Sequence, residues 1–446
     1  MTIMSGRRVA FVLHGFSGGG MERSMLRLAE AFLGRGLAVD FVVGQAKGEL
    51  LTDVPAAARI IDLAKRPVFR ARPHGLAADP RAFALLLRPK SMMGMLKPLL
   101  RRLPSLAAYL REARPDAILA AEPRYNVIAV WGRQLSGLRS RVVISERIQV
   151  SHHASFGGPW GEPGLRDLLR RAYLGADAIV AVSDGVADDL AAHGGMPRGR
   201  ITTVYNPVVG PDLVAKAQER PDHSWFAPGA PPVILAAGRL DPQKDFATLM
   251  RAFAQVRQGR PARLMILGAA NPANLAYAEE LRALPGALGI GGEVALPGFV
   301  DNPFAFMAQA SAFVLSSLYE GLPGVLIQAL ACGCPVVSTD CPSGPAEVLD
   351  GGRFGPLVPV GDVTALARAI EQVLDDPIPS ERLRSRAELF SVQRSADDYL
   401  ELLFPASRSR AETASEQAAQ RPRHLADVPD NPDDTRVASY ATGPTL

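Results

Sequence analysis

A chain of 446 residues, 48% hydrophobic and 21% charged, is too long for one ordinary core and too apolar for a disordered polypeptide, so two globular domains are expected. The net charge of +4 is mild, no apolar run approaches the roughly 18 residues of a membrane span, and the stretch 9–13 is too short for a secretory leader, which predicts a cytoplasmic protein. The three cysteines, Cys332, Cys334 and Cys341, have no nearby fourth Cys or His, which argues against a disulfide framework or a structural zinc site and for small buried residues.

The first element is a strand at residues 8–13, followed by the glycine-rich turn Gly18-Gly19-Gly20 and a helix from about Met21, where Met25, Leu28, Ala29 and Phe32 recur at helical spacing. Gly34 and Gly36 stop that helix, and residues 37–43 read as a second strand. The turn invites a dinucleotide-binding reading, but its glycine spacing is wrong and Asp40 lies inside the second strand instead of at its end. A close approach to a ligand's phosphates or sugar is the alternative, and a simple tight turn the plainest one.

The next segment, 65–111, carries eleven basic residues, Arg88 and Lys90 among them, against the single acid Asp79, interleaved with Leu85, Leu86, Met92, Met93, Met95 and Leu96. Two readings stay open: a surface for an anionic membrane, with Arg102 among its cations and the leucines and methionines inserting, or a solvated helical face packed on the first sheet. Nucleic acid is not expected, since only Phe69, Phe83 and Tyr109 offer stacking rings there. Strands at 117–121, 141–145 and 178–183 alternate with helical patterns, and after Asn206-Pro207 the alternation restarts with a strand at 233–237, a helix at 246–256 and a strand at 262–267. Such alternation predicts an α/β class protein with two doubly wound parallel-sheet domains facing one another across a cleft.

The densest signal lies at 312–349. An apolar strand at 312–316 precedes Glu320, then Gly321-Leu322-Pro323-Gly324 opens a helix, with Pro323 suited to its first turn. Backbone N–H groups of Gly324, Val325 and Leu326 at that helix start suit a phosphate, and Gln328 lies about one and a half turns inside. No Asp-x-Asp triplet occurs, so a metal-bridging pair of that kind is absent, and Arg239 and Lys244, flanking a turn after the strand 233–237, are the cations expected to hold a diphosphate.

These segments resemble the retaining glycosyltransferases of the GT-B fold, family 4 (group 1 glycosyltransferases). Glu320 and Gln328 stand where that family has two glutamates with seven residues between them, so the second position departs from its pattern. Gly18-Gly19-Gly20-Met21-Glu22 is similar to the family's N-terminal turn, Val182-Ser183-Asp184 to its late N-domain segment, Tyr205-Asn206-Pro207 to its hinge, Gly238-Arg239-Leu240 with Gln243-Lys244 to its diphosphate segment, and Leu296-Pro297-Gly298-Phe299 to its base-binding loop. The matches run in family order from about residue 8 to 404.

The resemblance implies a GT-B architecture of two Rossmann-like domains: an acceptor domain at 1–207, a donor domain at 208–390 and a crossover helix at 391–404, with a disordered tail at 405–446. It implies transfer, with retained configuration, of a hexose or N-acetylhexosamine from a UDP-sugar to a glycan, plausibly one carried on a polyisoprenyl diphosphate, in cell-surface polysaccharide synthesis, with no cofactor and no metal and the protein peripheral on the cytoplasmic face of the inner membrane. Glu320, Arg239 and Lys244 are the implied catalytic residues. Gly19, Gly20, Phe299, Gly324, Val325, Leu326 and Gln328 are the implied donor contacts. Many members place a histidine after the strand matching 141–145; here Ser145-Glu146-Arg147 stands there, and His152-His153 read as ordinary loop residues. Two alternatives remain open, a non-catalytic sugar-nucleotide-binding subunit and a sugar-nucleotide epimerase of the same fold.

Overall fold

The computed structural model describes residues 6–86, 96–155, 159–161, 164–271 and 274–405; the expected tail after residue 405, and Arg88, Lys90, Met92 and Met93, lie outside the described residues. Two parallel sheets carry the fold. The first contains β1 (Arg8–Leu13), β2 (Ala38–Val43), β3 (Arg59–Asp62), β4 (Ala117–Ala121), β5 (Arg141–Glu146), β6 (Ala178–Ala181) and β7 (Ile201–Thr203) in the order β3-β2-β1-β4-β5-β6-β7. The second contains β8 (Val233–Ala237), β9 (Arg263–Leu267), β10 (Val294–Gly298), β11 (Ala312–Leu315), β12 (Val336–Thr339) and β13 (Leu357–Val358) in the order β10-β9-β8-β11-β12-β13. Both are Rossmann-like, and in each the strand order reverses once, between β1 and β4 and between β8 and β11, opening a crevice at the carboxyl ends of those strands.

The central strands are apolar along their whole length because helices cover both faces: Val233–Ala237 and Ala117–Ala121 are buried at every position. Asp40 is the exception inside β2. Wholly buried, its carboxylate accepts hydrogen bonds from Arg8 (2.8 Å), Arg59 and the Tyr109 hydroxyl (2.7 Å), the compensation a buried charge requires. The last described helix, Val392–Leu403, buries Ala396, Tyr399 and Leu403 in the same core as Val9, Phe11 and Phe41 of the first sheet, and Arg141 on β5 hydrogen-bonds the Leu402 carbonyl.

The basic segment forms the helices Val68–Ala78, Phe83–Leu86 and Leu96–Ala113. It corrects part of the expected membrane face. Leu85 and Leu86 belong to the core, so they are not available for insertion, and Arg102 is 2% exposed because its Nε donates to the Gly44 carbonyl at the end of β2. Phe69 and Phe83 stand outward instead, 69% and 56% exposed, beside the exposed Lys65, Arg66, Arg70 and Arg81. Among the described residues no helix is long and apolar enough to cross a membrane. Cys332, Cys334 and Cys341 are buried free thiols, and burial pushes Cys332 and Cys341 up to about 12.

Candidate functional site

At the crevice of the second sheet, β8 is followed by Gly238-Arg239 and β11 by Ser316-Ser317, and the two loops they open are stitched together. Gln243 donates its side-chain amide to the Tyr319 carbonyl (2.9 Å), Leu318 N–H reaches the Gln243 carbonyl (2.8 Å), and Ser316 Oγ reaches the Lys244 carbonyl (2.7 Å). This scaffold brings Lys244 and Glu320 together, 76 residues apart in sequence: Lys244 Nζ lies 2.6 Å from Glu320 Oε1, which also accepts from Ser317 Oγ at 2.7 Å. Thr339 at the end of β12 secures Ser317 through its carbonyl (2.7 Å). Glu320 is 7% exposed, so its charge is held by one cation and one hydroxyl in a largely dry setting. Arg239, by contrast, is exposed and has no hydrogen bond or ion pair among the described residues. A fixed Lys–Glu pair beside an unpaired guanidinium provides a preorganised positive rim next to a carboxylate.

The following helix is Gly324–Ala331, so Pro323 is its N-cap residue and not part of its first turn. Leu326 N–H is already spent on the Pro323 carbonyl (3.1 Å) and its side chain is buried, which leaves Gly324 and Val325 as the backbone donors at this end and corrects the expected role of Leu326. Gln328 is half-buried on the same helix. Phe299, 66% exposed, follows β10 one strand beyond β9.

The opposing crevice belongs to the first sheet. Gly19 is the N-cap of the helix Gly20–Gly34, and a side chain there would strike Glu22 Oε2 at 2.6 Å, while Gly20 faces open space. His14 after β1 and Glu122 after β4 meet across the order reversal, His14 N–H donating to Glu122 Oε1 (3.2 Å). Glu122 holds a positive φ of 93°, rare and strained for a side chain of its kind, and burial pushes its carboxyl up to about 7. His14 Nδ1 lies 3.0 Å from the Tyr125 hydroxyl, and burial with the Arg102 charge lowers its proton affinity.

The two crevices close on each other at Gly321. A Cβ there would lie 2.2 Å from the Arg147 carbonyl, so only glycine permits the approach. Ser183 Oγ donates to the Gly321 carbonyl (2.7 Å), and Asp184 N–H donates to the Glu347 carboxylate (2.9 Å). Arg147 replaces the expected histidine in position only: its guanidinium turns to Asn206 at the hinge and to Ser145 Oγ (3.4 Å). His152 instead packs against Tyr319, the neighbour of Glu320 in sequence, with ring centroids 3.5 Å apart and planes tilted by 44°. Sequence reasoning passed over Ser317 and Thr339, named Ser183 and Gln243 only as parts of family-like segments, and read His152 as an ordinary loop residue. The serine pair directly after a buried strand was the one local signal available; the others acquire their place from distant segments. Among the described residues no group of three or more His, Cys, Asp and Glu is arranged to hold a metal ion.

Known proteins match this architecture. The family model for glycosyl transferases group 1 covers residues 231–376, and that for glycosyltransferase family 4 covers 18–209. The N-acetylgalactosamine-N,N'-diacetylbacillosaminyl-diphospho-undecaprenol 4-alpha-N-acetylgalactosaminyltransferase of Campylobacter jejuni is 31% identical over 285 residues, 63% of this chain and 74% of the relative. The lipopolysaccharide core biosynthesis glycosyltransferase LpsE of Rhizobium meliloti is 31% identical over 236 residues, 52% of this chain and 65% of the relative. Among solved structures, the lipopolysaccharide outer core galactosyltransferase WaaB superposes with a TM-score of 0.64 at 19% identity, over 89% of this chain and all but 1% of that one, which it covers to 99%. HepE of Anabaena in complex with UDP gives 0.68 at 19% identity over 92% of this chain and 100% of its own. With both sheets, their facing crevices and both family models accounted for by one chain, the protein belongs to the group 1, family 4 glycosyltransferases and has the GT-B fold.

Proposed function

We propose that this glycosyltransferase moves a hexose or N-acetylhexosamine from a UDP-sugar to a glycan acceptor linked to a polyisoprenyl diphosphate, with retention at the anomeric carbon, in cell-surface polysaccharide synthesis. The observation that carries the reading is the Lys244–Glu320 contact of 2.6 Å at the order reversal of the second sheet, with Arg239 exposed beside it. Transfer breaks the bond between C1 and the β-phosphate oxygen, so negative charge grows on the leaving diphosphate; Arg239, Lys244 and the N–H groups of Gly324 and Val325 would take it up without a metal. Glu320 would orient the sugar and offset positive charge developing at C1. Gln328 has both a donor and an acceptor for the ribose hydroxyls, Phe299 a ring for the base, and Gly19 and Gly20 room for the donor from the opposite side. Relatives named for lipopolysaccharide and undecaprenol-linked acceptors, and a fold neighbour determined with UDP, support donor and acceptor class. Exposed Phe69 and Phe83 among basic residues support a peripheral place on the cytoplasmic face of the inner membrane.

Incubating the protein with UDP-sugars and a polyisoprenyl-diphosphate-linked glycan, with and without EDTA, and recording the anomeric proton coupling of the product tests the reading. An inverted linkage or strict dependence on Mn²⁺ or Mg²⁺ overturns the mechanism, and UDP binding with no turnover over a broad acceptor panel favours a binding subunit.

A further inference from the structure

In the first sheet β1, β4 and β5 lie side by side, so the residues that follow them, His14, Glu122 and Arg147, stand in a row along its carboxyl edge. The Arg147 carbonyl is the group that excludes a side chain at Gly321, the neighbour of Glu320 in sequence, so this row faces the edge that carries Glu320. Glu22, from the helix Gly20–Gly34, lies close enough to raise the proton affinity of His14, Glu122 and Arg147 alike.

Within the row the Glu122 side chain holds nothing in place. It stands at the N-cap of the helix Pro123–Ser136, yet its carboxylate makes no capping hydrogen bond. It has no ion pair among the described residues, and its one hydrogen bond there is Oε1 accepting from the His14 N–H (3.2 Å), which leaves Oε2 without a partner among them. A half-buried carboxylate so placed loses hydration without gaining a cation, and φ of 93° with ψ of 135° adds backbone strain at the same residue. His14 is exposed, and its Nδ1 lies 3.0 Å from the Tyr125 hydroxyl. With Tyr125 donating to Nδ1, the neutral ring carries its proton on Nε2, which has no partner among the described residues.

We propose that His14 and Glu122 hold the acceptor sugar, Glu122 Oε2 accepting from one of its hydroxyls and His14 Nε2–H donating to another. Sugar hydroxyls both donate and accept, so an open carboxylate oxygen beside an imidazole N–H matches them, and a hydroxyl bound to a carboxylate makes the stronger, charge-assisted kind of hydrogen bond. Glu122 and Glu22 together repel an anionic substituent, so the sugar taken here is a neutral one. The inference rests on the glycan acceptor proposed above and adds the groups that grip it.

The test is saturation-transfer NMR on the full chain in excess UDP, with the methyl glycosides of glucose, galactose, N-acetylglucosamine, N-acetylgalactosamine and glucuronic acid as probes. At least one neutral glycoside should bind, and Glu122→Gln and His14→Ala should each weaken it by about tenfold while UDP affinity, read by calorimetry, is unchanged. Glu122→Gly removes the carboxylate and relieves the positive φ, so it should lose the sugar and gain in Tm. No binding of any neutral glycoside to the wild type, or undiminished binding in both Glu122 variants, overturns the subsite. Preference for the glucuronide overturns it too, as does an equal loss of UDP affinity, which would assign the pair to the donor. A lower Tm in Glu122→Gly gives the carboxylate a structural role and overturns the argument for a ligand. Absence of UDP binding counts against the donor reading alone, since wild type and variants are then compared without UDP.

Discussion

The carboxyl edges of the two sheets are built on opposite principles. On the second sheet the buried carboxylate has found its partners inside the edge itself: Glu320 has Lys244 and Ser317, and the loops carrying them are cross-bonded by Gln243, Ser316 and Thr339, with Arg239 left exposed. On the first, Glu122 sits at a strained φ, Arg102 keeps an unbonded Nη2, and His14 and Glu122 have proton affinities moved by burial. A site that meets the same diphosphate at every turnover gains from rigidity, since groups already in place need no rearrangement as charge develops. Desolvated, incompletely bonded groups of the kind found on the first sheet cost stability, since burial removes their water without supplying a full set of partners.

The contrast can be broken most severely at Glu320. Glu320→Gln leaves Lys244 buried without a counter-charge and removes the carboxylate from the sugar, so kcat should fall by about 10³ while UDP affinity, read by calorimetry, stays within a few-fold. Near-normal turnover removes Glu320 from the chemistry. Arg239→Ala should cost about 10² in kcat, with Lys244→Ala at least as costly, and wild-type activity should persist in EDTA. Gly321→Ala probes the seam between the edges: its Cβ cannot coexist with the Arg147 carbonyl, the crevices must part, and kcat/KM should drop by about tenfold with little change in Tm. A variant as fast as the wild type would show that the closed approach is dispensable.

The gentlest probe leaves the chemistry alone. Glu146, fully buried at the end of β5, accepts from the Tyr173 hydroxyl (2.7 Å), and burial pushes its carboxyl up to about 7. The folded protein therefore binds this proton more tightly than the unfolded chain, so the associated stability is complete below about pH 4.5 and is lost as pH rises toward about 7, by roughly 3 kcal/mol. Measured against Glu146→Gln, whose side chain stays neutral, the wild-type Tm should decline across that window and run parallel above it. A difference that does not vary with pH would show that Glu146 titrates as an ordinary carboxylate.

Much of the second sheet's edge was legible because its signals are local. Apolar runs mark β8, between Pro232 and Gly238, and β11, between Ser311 and Ser316, and Glu320 with Gly321 and Pro323 lies within one short stretch. The strands 8–13, 117–121 and 233–237 come within the observed bounds for the same reason. The edge of the first sheet was largely illegible. Arg102 looks like a surface cation in a basic helix until Gly44, 58 residues earlier, is brought beneath it, and Leu85 and Leu86 look like insertion residues until the sheet covers them. Nothing around Glu122 announces a positive φ, and its hydrogen-bond partner, the His14 N–H, lies on the far side of the order reversal. Pro323 shows the smaller error, a helix boundary displaced by one residue.

The helix Val392–Leu403 has a consequence for biosynthesis. Tyr399 and Leu403 complete a core whose first members, Val9 and Phe11, leave the ribosome almost four hundred residues earlier. Domains generally fold in the order of synthesis, yet here the second sheet has all of its strands before the first sheet receives its last piece of core. During translation the earlier domain therefore waits with part of its apolar face uncovered, and the later domain is the one that can finish first.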